Sequence, residues 1–109
     1  MPKQLDLFAQ PLIEEYLGLT QQKLPRLGRT SHTSWPVCED HCFQRIILDS
    51  TCGGVWHEYL ARPAYKNMTK EQLRQAINLG YRIANSEVNL HELNAQSLSW
   101  RGKSQKLAQ

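Results

Sequence analysis

Residues 69–84 read Thr-Lys-Glu-Gln-Leu-Arg-Gln-Ala-Ile-Asn-Leu-Gly-Tyr-Arg-Ile-Ala, and this stretch decides the fold. Leu73, Ala76, Ile77, Gly80, Tyr81 and Ala84 recur every three or four residues, which places one apolar stripe along a helix. Thr69 stands just ahead of that stripe with Gln72 three positions later. Threonine accepting from the backbone N–H at the third helical position, and glutamine reaching back to the threonine N–H, form a capping box.

Working outward, the same periodicity continues and strand-like alternation is almost absent. Downstream, Asn89 with Glu92 at the third position predicts a last helix that buries Leu90, Leu93 and Leu98 ahead of Trp100. Upstream, a helix is expected from about Pro36, with Glu39 and Asp40 near its positive end, stopping before Gly53 and Gly54. Phe43, Ile46, Ile47 and Leu48 spread around much of its circumference, so it is expected to be the central, buried helix. A short helical segment follows from Val55 to Leu60, ended by Pro63. A first helix is expected from Pro11, which suits the first helical position, to about Gly18, with Leu12, Ile13, Tyr16 and Leu17 on one side. Residues 20–34 carry Pro25, Gly28 and a Thr/Ser cluster and read as an extended connection. The expected fold class is all-α: a small bundle of four or five helices over residues 11–101, preceded by a flexible N-terminal arm (1–10) and followed by a polar tail (102–109).

At 109 residues the chain holds one domain, and 40% hydrophobic against 21% charged residues excludes collagen-like and disordered classes over most of its length. The formal net charge is +3, but its distribution says more than its sum. Residues 31–60 hold one basic residue against four acidic, whereas the chain from Arg62 onward holds eight basic against three acidic. A basic C-terminal half suits an anionic partner. No apolar run is long enough for a membrane span and no secretion signal is apparent, so a cytoplasmic location is expected. Three cysteines, an odd number, argue for reduced thiols rather than a disulfide framework.

The densest functional signal lies ahead of the helical pattern. Gln4, Leu5, Asp6, Leu7 and Phe8 spell Gln-Leu-Asp-Leu-Phe. This resembles the pentapeptide by which bacterial replication and repair proteins bind the sliding clamp, the β subunit of the replicative polymerase. The family pattern is Gln-Leu-Ser/Asp-Leu-Phe, and all five positions match. Such a peptide draws its affinity from a few anchors. Leu7 and Phe8 suit one apolar pocket, Gln4 offers an amide at its rim, Leu5 adds apolar contact and Asp6 stays solvated. The resemblance implies a bacterial, plasmid or phage interaction protein that docks on the clamp, recruiting its helical domain to replicating DNA or inhibiting by occupying the pocket. It covers five residues only, and an N-terminal arm packing on the domain's own core is the plainer reading of the same leucines.

Three other constellations carry chemistry. Arg62, Lys66, Lys70, Arg74, Arg82, Arg101 and Lys103, with Lys106, make a candidate phosphate-contacting surface, so a nucleic-acid-binding helical module is the alternative function; an ordinary solvated face is its plain counterpart. His41, Arg45 and Asp49 recur every four residues on one face of the central helix and, with Trp56 and His57, could line a pocket; an ion pair between Arg45 and Asp49 with a capping or solvated His41 is the plainer and preferred account. Cys38, His41, Cys42, Cys52 and His57 lack the tight spacing of a zinc site, so no metal or other cofactor is expected. No nucleophile, base and orienting group stand at a recognisable spacing, and no enzyme activity is assigned.

Overall fold

A computed structural model describes the backbone of residues 3–102 and the side chains of residues 9–102. Its elements are α1 (Lys3–Gly18), a π-helical turn (Leu19–Lys23), α2 (Leu24–Thr30), α3 (Asp40–Cys52), a 3-10 turn (Trp56–Glu58), the single turn α4 (Ala64–Asn67), α5 (Lys70–Ala84) and α6 (Leu90–Trp100). The class is all-α, as the periodicity predicts. Among the described residues no helix is long and apolar enough to cross a membrane. The side chains at positions 4–8 and the tail from Lys103 onward lie outside the described residues, and with them the expected flexibility of the arm.

The two predicted N-terminal caps are present. Thr69 Oγ1 accepts from the Gln72 N–H at 3.0 Å while Gln72 Oε1 accepts from the Thr69 N–H at 2.9 Å, so two amides that would otherwise lack partners are satisfied reciprocally. At the start of α6 half of that arrangement forms: Asn89 Oδ1 accepts from the Glu92 N–H at 3.1 Å. At the other end of α3, Gly53 adopts the left-handed φ of 79° that lets the chain reverse, and its N–H closes on the Asp49 carbonyl.

α3 is the central element, packed against α2, α5, α6 and both irregular turns, and Phe43, Ile46 and Ile47 on it are wholly removed from solvent. It begins at Asp40, four residues later than Pro36. The residues between keep extended or turn backbone, and Trp35 and Val37 pack against the core from there.

Four further expectations are corrected. Residues 20–34 are not an extended connection: the π-helical turn and α2 occupy most of them, because Leu24 and Pro25 are buried and the Thr20 hydroxyl bonds back to the Tyr16 carbonyl at 3.0 Å. Polar composition hid a segment anchored by a few buried residues. Pro11 lies inside α1 rather than at its first position. On α5 the buried stripe is Leu73, Ala76, Ile77, Gly80 and Ile83; Tyr81 faces solvent, its hydroxyl donating to Glu15 Oε2 at 2.8 Å and so tying α5 to α1. That hydrogen bond, then partial burial, raises the Tyr81 pKa. Finally, α6 buries Leu90, Asn94 and Ser97, with Leu93 and Leu98 only half-buried. Its inward face is largely polar.

Gly80 marks the tightest helix approach. A Cβ there would strike Leu19 Cδ2 and come within 3.0 Å of Leu19 Cγ, so α5 meets the π-helical turn only because position 80 has no side chain. Gly80→Val is expected to lower stability by about 1–3 kcal/mol through overpacking. Thermal melts followed by circular dichroism measure it, and an unchanged or raised midpoint would contradict the close approach.

Candidate functional site

Asp49 is the buried centre of a polar network that joins three elements. It sits in the last turn of α3 with no solvent exposure. Its Oδ2 accepts from the Ser97 hydroxyl at 2.6 Å and from Arg101 Nε at 2.7 Å; its Oδ1 accepts from the Trp56 N–H and from an Arg101 terminal nitrogen, both at 2.9 Å. A carboxylate offers roughly four lone-pair sites, and all are used. The Arg101 guanidinium is engaged side-on, the bidentate geometry that gives the strongest carboxylate pairs. Burial pushes the Asp49 carboxyl up, but the hydrogen bonds from Arg101, Ser97 and the Trp56 N–H outweigh it and hold the pKa below the ordinary carboxylate value. The same carboxylate raises the Arg101 pKa.

Arg45, one turn earlier, does not pair with Asp49. It donates to Ser97 Oγ and to Asn94 Oδ1, each at 2.8 Å, so the ion pair read from the i,i+4 spacing is replaced by Arg101 with Asp49 and by two neutral acceptors for Arg45. The side chains of α6 reach Asp49 and Arg45 from across the interface, which sequence spacing within α3 had no means of showing. Ser97 beside a carboxylate has the look of a nucleophile. It is fully buried and its oxygen already accepts from Arg45, so it is a structural joint.

Above this network lies an open cleft of about 410 Å³ lined by His41, Gln44, Arg45, Leu48, Trp56, His57, Arg62 and Arg101. Four of the five residues assigned to a pocket from sequence (His41, Arg45, Trp56 and His57) are on its walls, and the fifth, Asp49, lies beneath and fixes Trp56 and Arg101. A second cleft of about 440 Å³ adjoins it, sharing Gln44, Leu48, Trp56 and Arg62 and adding Tyr16, Pro63, Ala64 and Tyr65. The Arg62 guanidinium stands 5.2 Å from the centre of the Trp56 ring, within the range of a cation–π contact. Gln44 donates to Thr20 Oγ1 at 3.1 Å, which tethers the shared wall to the π-helical turn. Such turns are frequent beside functional sites.

The remaining candidate residues are dispersed. Of the basic set, Arg74 pairs with Glu71 and Arg82 with Glu87, each at 3.9 Å on the surface, while Arg101 is committed to Asp49. Arg62 lines both clefts, Lys66 is exposed beside α4's end, Lys70 opens α5 half-buried, and Lys103 lies outside the described residues. The three cysteines are free, half-buried thiols. Burial, then the charge of Asp49, pushes the Cys52 thiol up, away from the thiolate that a metal or a nucleophilic role requires. Among the described residues the group of three potential ligands that do gather is Glu39, Asp40 and His41 at the start of α3, which contains no cysteine.

Comparison with protein-family profiles, with curated proteins and with solved structures gave no match. Fold and site therefore define the class by themselves: a small all-α protein whose central helix carries a cationic, aromatic-walled cleft over a buried carboxylate.

Proposed function

We propose that the protein is a small interaction module that docks on the bacterial DNA sliding clamp through residues 4–8 and brings its helical domain to the replisome, by recruitment or by competition for the clamp pocket. The observation that carries this reading is the five-of-five agreement of Gln4, Leu5, Asp6, Leu7 and Phe8 with the clamp-binding pattern, including a glutamine that packing against an apolar core would not require. Apolar anchors beside one amide are what a short peptide needs to grip a pocket of mixed character. An affinity near 1 μM, about −8 kcal/mol, is typical of what so few anchors deliver.

A nucleic-acid module resting on the basic C-terminal half draws less support, because Arg74, Arg82 and Arg101 each already face a carboxylate. The deciding measurement is surface plasmon resonance of the full chain over immobilised, purified bacterial clamp. Micromolar binding is expected for the natural sequence. Replacing Gln4, Leu7 and Phe8 together by Ala should weaken it at least ~50-fold, since truncating anchors commonly costs more than ~1 kcal/mol each. Binding that survives the triple replacement, or no binding by the natural sequence, overturns the reading.

A further inference from the structure

We propose that the paired clefts on α3 form a binding site for a nucleotide, with its phosphate in the cationic cleft and its base in the aromatic one. The proposal is independent of the clamp motif and uses none of its residues.

Charge comes first. Among the described residues no carboxylate lies within ion-pair distance of Arg45 or of Arg62, whereas Arg29, Arg74, Arg82 and Arg101 each have one; Arg26, exposed on α2 and lining neither cleft, is the other arginine without one. Arg45 is half-buried, and its hydrogen bonds go to the neutral Ser97 and Asn94. Those two bonds orient its guanidinium and leave donors over from the five it carries. Asp49 is saturated by Arg101, Ser97 and the Trp56 N–H and cannot serve as its counter-ion. Two guanidiniums without carboxylate partners at one cleft match the charge of a terminal phosphate, near −2 at neutral pH, and their planar forks match its oxygens. A lone carboxylate could bond both but would neutralise only one of the two charges.

Shape comes second. The adjoining cleft is walled by Trp56, Tyr65 and Pro63 over the buried Tyr16, and Trp56, Gln44 and Arg62 belong to both. A nucleotide has the matching parts, a flat base that stacks and an anionic phosphate held a ribose away, and each cleft has the volume of an ordinary small-molecule site. Base stacking on aromatic walls and phosphate contact to arginine are complementary parts of nucleotide recognition. Rigidity comes third: Asp49 fixes the Trp56 backbone, and Thr20 fixes Gln44, so the shared wall is ordered before any ligand arrives.

The ligand is either a free mononucleotide or the 5′-phosphorylated end of a single strand, and both present the same chemistry. The test is titration of the full chain by two-dimensional ¹⁵N–¹H NMR, reading the Trp56 indole resonance with AMP, adenosine, inorganic phosphate, and a short oligothymidylate with and without its 5′-phosphate. Saturable shifts at the Trp56 indole are expected with a Kd of ~1 mM or below for AMP or for the phosphorylated strand. Adenosine and phosphate alone should each bind at least ~10-fold more weakly than AMP, one decade of affinity for each missing half. A phosphorylated strand that binds ~10-fold tighter than AMP, and tighter than its unphosphorylated counterpart, assigns the site to strand ends; the reverse order assigns it to free nucleotide. Arg62→Ala removes an exposed side chain and should weaken binding ~10-fold with the spectrum otherwise preserved, and Arg45→Met, at the half-buried partner, should weaken it to a similar degree. No saturation by 10 mM of either ligand, phosphate binding as tightly as AMP, or full affinity in Arg62→Ala overturns the proposal.

Discussion

Replacing Asp49 by Ala is expected to remove about 3–5 kcal/mol of folding stability, a large part of the ~5–15 kcal/mol that holds a domain of this size. The cost does not come from losing a favourable ion pair, since buried pairs barely repay their desolvation. It comes from what is left behind. Arg101, largely enclosed, would keep its charge with no carboxylate opposite, and the Ser97 hydroxyl and the Trp56 N–H would lose their acceptor in a site that water does not reach freely. Leu90 and Leu93 fasten the start of α6 to the core, but beside Asp49 the helix presents Asn94 and Ser97, which cannot take over the role of the lost carboxylate. Urea denaturation should show a much lower midpoint, and loss of α6 before the rest would appear as a changed slope. A shift corresponding to less than ~1 kcal/mol would mean that the network contributes little.

Acid reads the same group from the other side. The folded-state pKa of Asp49 lies below its unfolded value near 3.9, so its contribution is fully present above that value and is lost as pH falls through the folded pKa. Asp49→Asn imitates the protonated carboxyl. It should be markedly less stable than the natural protein at pH 7, and the two should converge as pH falls below about 4. Carboxylates elsewhere titrate in both proteins and cancel in the difference. A gap that stays constant down to pH 2 would show that the charge on Asp49 is not what the network uses.

These expectations could not have been drawn from the sequence, and the reason lies in particular residues. α5 was legible because its contact face is apolar and its cap is a local pattern: Leu73, Ala76, Ile77 and the pair Thr69 with Gln72 declare themselves within sixteen residues. α3 was legible as the buried helix for the same reason. The α3 to α6 interface was not, because a polar seam looks like a solvated face until its partner is known. His41, Arg45 and Asp49 at spacing four, and Asn94, Ser97 and Arg101 at spacings three and four, are two such stripes about fifty residues apart. Their alignment is a tertiary fact, and the within-helix pair of Arg45 with Asp49 was the nearest local substitute. The extra signal lay in α6 itself, which has Asn94 and Ser97 where a helix packed on apolar contacts would carry leucine. The π-helical turn and α2 were hidden likewise, because Thr20 is buried through its hydroxyl and few residues of the segment are apolar.

Phe43→Ala is the second substitution with a large expected effect, and it probes a different part of the same helix. Phe43 has no solvent exposure, and its ring meets Trp35 edge-on, with centroids 5.7 Å apart and planes at 70°. Trp35 in turn lies flat on His32, at 4.5 Å and 5°. The irregular residues 31–39 are thereby stacked onto the core through one aromatic contact, aided by the His91 ring nitrogen at 3.1 Å from the Ser34 carbonyl. Truncating a buried phenylalanine costs about 3–5 kcal/mol in lost transfer energy and cavity, and the edge-to-face contact adds about 0.5–1.5 kcal/mol of that pairing. At roughly 4–8 °C per kcal/mol for a domain near this size, the melting midpoint should fall by at least ~12 °C. The near-ultraviolet circular dichroism should lose the Trp35 contribution while the helical signal persists at low temperature, because α3 retains Ile46 and Ile47 in the core. A midpoint within a few degrees of the natural protein would show that Trp35 or a neighbour collapses into the space. Loss of the near-ultraviolet signal with little loss of stability would instead mean that residues 31–39 are held to the core by Phe43 but contribute little to its stability.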